Sequence, residues 1–581
     1  MSQLTNQPTN HPSITLETVL WALIALIALA LRLSHLDAAP LNVREAREAM
    51  LAWRSVTGQG MPQADYSPLL FAANALLFAL CGAGDGLARL WPALFGSALA
   101  LTPLLLRRRI GRVGALVTGT YLAFSPTALF ASRQLDGAVV AAVGGMVLLG
   151  GLARFFDTER RPWLTLSAGG LALAVTSSPS AYGLLLALGL AWLGLAWAWP
   201  GKHVSRLTFH VSHSFLVFLL TALALSTGLG WNLSGLGAAG DLLPAWIARF
   251  GPVSNPAPSA LTIIAIYEPL ALLFGLGGLV GAIRRVHRFG ALLGMWAGLE
   301  ALLLTLMPGR VVLDTLWVIL PLAMLTGIAM EWLVQSLRRW GAWLGEGLYV
   351  PVVLILWVHT YLVLARYAER GIPTDLVMVL LVAILQVLLA TIFALAMRFD
   401  AALRGVVVGT GILLLALTLS AGWRVAYVRP ADPREPLVRE PTAVEVRDLV
   451  RTLRDLSWHE TGIPTVLPFT FEAAPDSVLA WYLRDFSAAR RVESVEEAEE
   501  TDRVLVTSRR DLELTGDVAF AGQDFALRRS WNLAEIGCTW EWPPHCNAAV
   551  KWLLLRRAPS LPVADQWAVL WLRQDMVETG D

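Results

Sequence analysis

The sequence predicts an all-α polytopic membrane domain followed by a smaller C-terminal α/β soluble domain, and three observations predict it. Of 581 residues, 56% are hydrophobic and 15% charged, against roughly 25% charged in soluble domains, and mean hydropathy is +0.58. Apolar runs recur from Leu20 to Trp423, at the ~20 residues a helix needs to cross ~30 Å of hydrocarbon. From Arg424 onward charges are frequent, prolines cluster, and no run is long enough to span. The division is therefore 1–423 for the membrane domain and 424–581 for the soluble one.

Thirteen spans are expected, at 17–36, 86–106, 113–131, 137–153, 162–178, 180–199, 214–231, 261–283, 291–307, 311–335, 348–366, 375–397 and 404–423. The apolar segment Pro68–Leu80 is short and reads as re-entrant or interfacial. With the N-terminus inside, the cytoplasmic loops carry RRRIGR (107–112), RFFDTERR (154–161), GKHVSR (201–206) and RRVHR (284–288). These loops hold about twice the Lys and Arg of the short outer loops, as the positive-inside rule requires. Counting Pro68–Leu80 as a span would reverse the later loops and spoil the asymmetry. The charge pattern places the chain in the cell membrane with its tail extracytoplasmic.

Net charge is +1, which suggests no nucleic-acid partner. Residues 1–17 hold no Lys or Arg, so the positive n-region of a signal peptide is missing and Leu20–Leu33 reads as a retained span. Cys81 sits alone in an apolar segment, whereas Cys538 and Cys546 bracket GCTWEWPPHC. An oxidising compartment permits a disulfide there, and two separate thiols fit the spacing equally. No metal site is read from two thiols.

The first outer loop, 37–85, is long. Within it Ala46, Ala49, Met50 and Trp53 share one helical face, with Arg44, Arg47, Glu48 and Arg54 opposite. That is an amphipathic helix suited to lying along the membrane surface, ended by Gly58, Gly60 and Pro62. Function and a plain surface anchor both fit this pattern.

Several stretches resemble the GT-C membrane glycosyltransferases, namely the lipid A aminoarabinose transferases and protein O-mannosyltransferases, in an uncharacterised bacterial branch. REAREAMLAWRSVTGQGMP (44–62) is similar to their first outer loop, Tyr66-Ser67-Pro68-Leu69 to their K/H-P-P-L step, and ARLWPALFGSAL (88–99) to their second span. SPTALFASRQLDG (125–137) resembles the segment holding their second acid, and PGRVVLDTLWVILPLAML (308–325) a later span. The tail motif WYLRD (481–485) resembles C-terminal domains of the same branch.

The resemblance implies a GT-C-like fold and transfer of a sugar from a polyprenyl-phosphate donor, within membrane lipid, to an acceptor hydroxyl on lipid, glycan or protein at the outer face. A carboxylate must take the acceptor proton, and arginine forks suit the leaving phosphate. By motif position the catalytic candidates are Glu45 and Asp136. The phosphate- or substrate-binding candidates are Arg44, Tyr66, Arg89, Arg133 and Arg310. The chain departs from the family at Arg44, which replaces the family's aspartate, at Tyr66, which replaces Lys or His, and at Thr176-Ser177-Ser178, where a lysine is common.

For each candidate a plainer reading stands beside the functional one. Glu45 also suits a helix start, Asp136 a solvated span end, Arg89 and Arg310 snorkelling to headgroups, and Tyr66 an interfacial anchor. Two carboxylates could hold a divalent cation, though a third ligand is not evident. Glu268 and His359 lie inside spans, where ionisable groups are costly; Asp241 and Arg249 sit in an unspecific outer loop.

In the tail, Thr442–Leu456 and Ser477–Arg484 read as helices, and Arg503–Thr507, Gln523–Arg529, Val550–Leu555 and Trp567–Arg573 as strands. Asp476, Trp481, Tyr482 and Arg484 suit either an acceptor site or a core with surface ion pairs. Two rival readings remain: a non-catalytic relative that binds lipid-linked sugar, favoured by Arg44, and a transporter or flippase, disfavoured because no internal repeat with broken helices is found.

Overall fold

The computed structural model describes residues 15–62, 66–198, 211–340, 343–497, 502–510, 519–537 and 546–574. The basic loop GKHVSR and Cys538 lie outside these residues; Cys546 is disulfide-bonded.

Among the described residues eight helices are long and apolar enough to cross a membrane, and a bent pair makes a ninth candidate. The remaining predicted spans are shorter helices. Segment 113–131 divides at Ser125 into Arg112–Phe124 and Pro126–Ala131, and 162–178 gives Arg161–Val175. Segments 180–199 and 214–231 give Ala181–Ala198 and Val211–Ser226. The bent pair, Ala260–Tyr267 and Pro269–Arg284, turns by 104° at Glu268. Pro269 lacks the N–H that would continue the ladder. Glu268 fills the break: it accepts from Tyr121 Oη, from Ser125 Oγ at 2.6 Å and from the Thr127 N–H at 3.0 Å. This intramembrane acid is a staple between helices.

The first helix, α1 (Leu16–Leu33), starts at Thr15, whose hydroxyl accepts from the Thr18 N–H. Near its end the buried Arg32 donates to the carbonyls of Leu122 and Ala123 and to Ser132 Oγ, at 2.9–3.1 Å. Small residues let the inner helices touch, as in membrane packing generally. A Cβ on Gly327 would sit 2.5 Å from the Gly114 carbonyl oxygen.

The amphipathic segment forms α2 (Val43–Val56), opened by an Asn42 cap whose side chain accepts from the Arg44 and Glu45 N–H groups. Pro68–Cys81 forms α3, with Pro68 in the first turn, where its missing N–H costs nothing. The apolar face of α2 packs on protein. Its apolar face, Ala46, Ala49 and Met50, is buried in one core with Leu70, Phe71 and Phe78 of α3 and with Leu449, Leu453 and Trp481 of the C-terminal unit. Protein covers it on both sides.

The C-terminal unit has a five-stranded sheet in order β2-β1-β3-β5-β4. Its strands are β1 (Phe469–Glu472), β2 (Ala489–Val492), β3 (Val504–Thr507), β4 (Phe520–Ser530) and β5 (Val563–Arg573). β1 pairs in parallel with β2 and β3, while β5 runs antiparallel to β3 and β4. Helix Glu445–Thr461 packs its Val446, Leu449 and Leu453 face on this sheet. The strand expected at Val550–Leu555 is the end of a helix, Asn547–Leu555; a short apolar run does not distinguish the two.

Asp85 fastens the unit to the membrane domain. Its carboxylate accepts from Trp481 Nε1 at 2.9 Å, Tyr482 Oη at 2.7 Å and Arg447 Nη2 at 2.9 Å. Trp481, Tyr482 and Arg484 thus belong to a docking contact, and Asp476 pairs with Arg54 at 3.1 Å.

Candidate functional site

The face of the membrane domain that carries the sheet unit holds a cavity of about 290 Å³. Five of the seven predicted site residues line it, Arg44, Glu45, Arg89, Asp136 and Arg310. Five backbone segments meet there: the turn after α1, the 130–136 turn, the 253–257 loop, the 308–313 turn and the 430–441 linker.

Arg89 and Glu45 form its floor. Arg89 Nε donates to Glu45 Oε1 at 2.8 Å and Nη2 to Oε2 at 2.6 Å, a bidentate fork in which both side chains are at most 3% exposed. The remaining Arg89 donors go to the carbonyls of Leu36, Ala39 and Pro40. Glu45 also accepts from the Leu135 N–H at 2.8 Å and the Asn42 N–H at 3.0 Å. The pair therefore ties the start of the outer loop to the turn that carries Asp136. Its hydrogen bonds are spent on the protein.

Asp136 sits at the start of helix Ala138–Thr158 and accepts from the Ala138 N–H at 2.7 Å. The turn lies flat on a neighbouring helix end: a Cβ on Gly137 would fall 1.8 Å from the Ser177 carbonyl oxygen. Burial pushes the Asp136 carboxyl above the usual carboxylate range, with Asp314 adding to the rise and Arg44 and Arg249 opposing it. A raised carboxyl is a stronger base than an ordinary aspartate, which favours a proton-accepting role.

Arg44 projects from the first turn of α2 and is exposed; no ion pair engages its guanidinium among the described residues. Arg310 donates to the carbonyls of Ala257, Pro258, Leu304 and Met307 at 2.6–3.4 Å and so shapes the wall. Two predicted residues lie away from the cavity. Arg133 gathers the carbonyls of Leu31, Arg32, Ser34 and His35, closing the end of α1, with Tyr427 beneath its guanidinium. Tyr66 is buried against Phe71 and accepts from Asn232 Nδ2 at 2.9 Å.

The structure adds residues that the motifs did not mark. Arg439 and Glu440, from the linker, line the cavity, and Arg439 donates to the carbonyls of Asn255 and Pro256 at 3.1 Å. A charged pair inside a proline-rich linker was the available signal. Glu48 is the other. Assigned to the polar face of α2, it is covered by the start of α3: the Ser67 N–H donates to Oε1 at 3.2 Å, while Oε2 is buried without a hydrogen-bond partner. Burial pushes its carboxyl up to about 8, with the Asp136 charge adding to the rise and the Ser67 N–H and Arg47 opposing it.

Among the described residues no group of three or more His, Cys, Asp or Glu could hold a metal ion, and hard cations take six to eight oxygens.

Below this level an almost wholly apolar groove of about 490 Å³ runs beside α1, lined by residues such as Leu20, Ile24, Val117, Phe124, Leu333 and Ile412.

The arrangement of helices and the sheet unit is a fold already seen in a solved protein. The chain matches ArnT from Cupriavidus metallidurans bound to undecaprenyl phosphate, at 18% identity and a TM-score of 0.51, over 84% of this chain and 92% of that one. The apo state of the same protein matches at 17% identity and a TM-score of 0.52, with the same coverage. The oligosaccharyltransferase AglB from Archaeoglobus fulgidus, in complex with an inhibitory peptide and a dolichol-phosphate, matches at 12% identity and a TM-score of 0.48, over 85% of this chain and 69% of that one. No family model matches the sequence, and no curated protein does.

Proposed function

We propose that this chain is an integral-membrane glycosyltransferase that moves a sugar from a polyprenyl-phosphate donor to an acceptor hydroxyl at the extracytoplasmic face. One observation carries the reading: a raised carboxyl, Asp136, and a cation, Arg44, that has no ion pair among the described residues line the same cavity, with an apolar groove beside α1. ArnT, whose fold the chain shares, was crystallised with undecaprenyl phosphate, which supports a polyprenyl carrier here.

In the proposed step the acceptor oxygen attacks the anomeric carbon as its proton passes to Asp136. The carbon–oxygen bond to the phosphate breaks, and the phosphate leaves with the electron pair. Arg44 neutralises that charge. The proton-accepting role goes to Asp136 rather than Glu45, because the Glu45 oxygens already take four hydrogen bonds. Glu45 and Arg89 are positioning residues. The donor's tail is assigned to the apolar groove, whose α1 wall leads up to Ala39 and Pro40 of the cavity. Unit 1–423 supplies the chemistry, and unit 424–581 covers the site.

A non-catalytic relative that binds lipid-linked sugar is the second reading, favoured by the same locking of Glu45. Membranes containing the chain, supplied with polyprenyl-phosphate sugars, separate the two. Transfer that falls at least a hundredfold with Asp136→Asn supports the enzyme, whereas donor binding without transfer, unchanged by that substitution, supports the binding protein.

A further inference from the structure

A second cavity, of about 420 Å³, opens where the sheet unit meets the membrane domain, within the ~300–1,000 Å³ of small-molecule sites. Its walls are the end of β4 from Arg528 to Ser530, the following Trp531 and Asn532, the linker around Arg434–Pro441, and the loop at Asn255–Pro258. Both cavities share Asn255, Val438, Arg439, Glu440 and Pro441. A thin partition therefore separates the second cavity from Asp136.

The lining chemistry is specific. Arg434 is held by Asp432, with bonds from 2.7 Å, Arg528 by Asp565 at 3.0 Å and Arg529 by Glu445 at 2.5 Å. Arg439 spends its donors on the two loop carbonyls. Three of the four wall arginines are paired with carboxylates, and the fourth, Arg439, stands beside Glu440 on the same wall, so the lining carries little unbalanced positive charge for an anionic ligand. What remains is a rim of paired charges and amides, which exchange hydrogen bonds with hydroxyls, and one indole. Trp531 is held in place: its N–H donates to Ser560 Oγ at 2.9 Å, and one face stacks on Trp552 with rings 17° apart. A fixed aromatic plane with a polar rim suits a ring that is apolar on its face and hydroxylated at its edge.

The geometry points to this second cavity as the binding subsite for a neutral carbohydrate portion of the acceptor, seated on Trp531, with its reactive hydroxyl reaching past Arg439 toward Asp136. The inference rests on the transferase reading and deepens it. It gives the sheet unit a recognition role and names the acceptor as a glycan or glycan-bearing molecule without charge in the bound sugar.

The full chain in lipid nanodiscs tests it. Maltotriose, cellotriose, mannotriose and trigalacturonate serve as probes in saturation-transfer NMR titrations, with undecaprenyl phosphate binding followed separately by native mass spectrometry. At least one neutral trisaccharide is expected to bind. Trp531→Ala should weaken it tenfold or more, Trp531→Phe less than threefold, and neither should change undecaprenyl phosphate binding. If no neutral trisaccharide binds, if Trp531→Ala binds like the parent, or if trigalacturonate is preferred, the subsite is refuted. None of those results touches the donor reading, which fails instead if undecaprenyl phosphate does not bind; transfer that survives Asp136→Asn removes only the proton-accepting role of Asp136.

Discussion

Arg89 and Glu45, 44 positions apart, meet as a two-pronged ion pair beneath the candidate site, with both nitrogen–oxygen contacts at 2.8 Å or less. Removing one partner leaves a buried charge without compensation, at a cost of about 3–5 kcal/mol. Glu45→Gln and Arg89→Met are each expected to lower the thermal midpoint of the purified protein sharply. Glu45→Met combined with Arg89→Met should recover part of the loss, read as coupling in a double-mutant cycle of melting temperatures.

Asp136→Asn keeps the acceptor for the Ala138 N–H and removes only the ability to take a proton. General-base loss costs roughly 10²–10⁴-fold in rate. Turnover should therefore fall by that factor while the melting temperature stays put. Gly137→Ala should act differently, moving the whole turn off the Ser177 carbonyl and losing both stability and activity.

Glu48 links pH to stability. Its folded carboxyl titrates at about 8 against an ordinary value of 4.5, so between those values the folded chain holds a proton that the unfolded chain has lost. Stability then declines as pH rises from 4.5 to 8 and levels off above. Glu48→Gln, permanently neutral, should flatten this segment of a plot of melting temperature against pH. A variant whose slope matches the parent's would remove Glu48 from the account.

Asp85 accepts three hydrogen bonds from the sheet unit. Asp85→Ala should loosen docking without unfolding the membrane helices. Amide exchange should accelerate in helix Glu445–Thr461 and leave Val312–Ser336, the most buried span, unchanged.

How much of this was legible in the sequence depended on the kind of signal. Apolar length located the eight described helices long enough to cross a membrane and the bent pair, because lipid imposes one requirement on every span, while the other four expected spans are shorter helices. The motifs around 45 and 136 led to one cavity because each marks a span end on a common face. What failed were contacts between distant segments. Nothing near Glu45 announced that Arg89 would occupy it, and Glu48 read as solvent-facing because α3, which covers it, lies 19 positions on at Ser67. β1 was missed because four residues after a proline carry too little alternation to register. The helix Asn547–Leu555 was mistaken for a strand for want of length.

The placement of α2 between α3 and the sheet unit has a consequence for how the molecule can be divided. The core that holds Ala46, Ala49 and Met50 includes residues beyond 440, such as Leu449, Leu453 and Trp481. A chain cut after the last membrane helix would leave that stripe wet and free the anchor of Arg44 and Glu45 to drift. Expressed without its tail, the protein should keep its helices in the bilayer yet lose the ordered mouth of the cavity, so the two halves are separate in composition and inseparable in architecture.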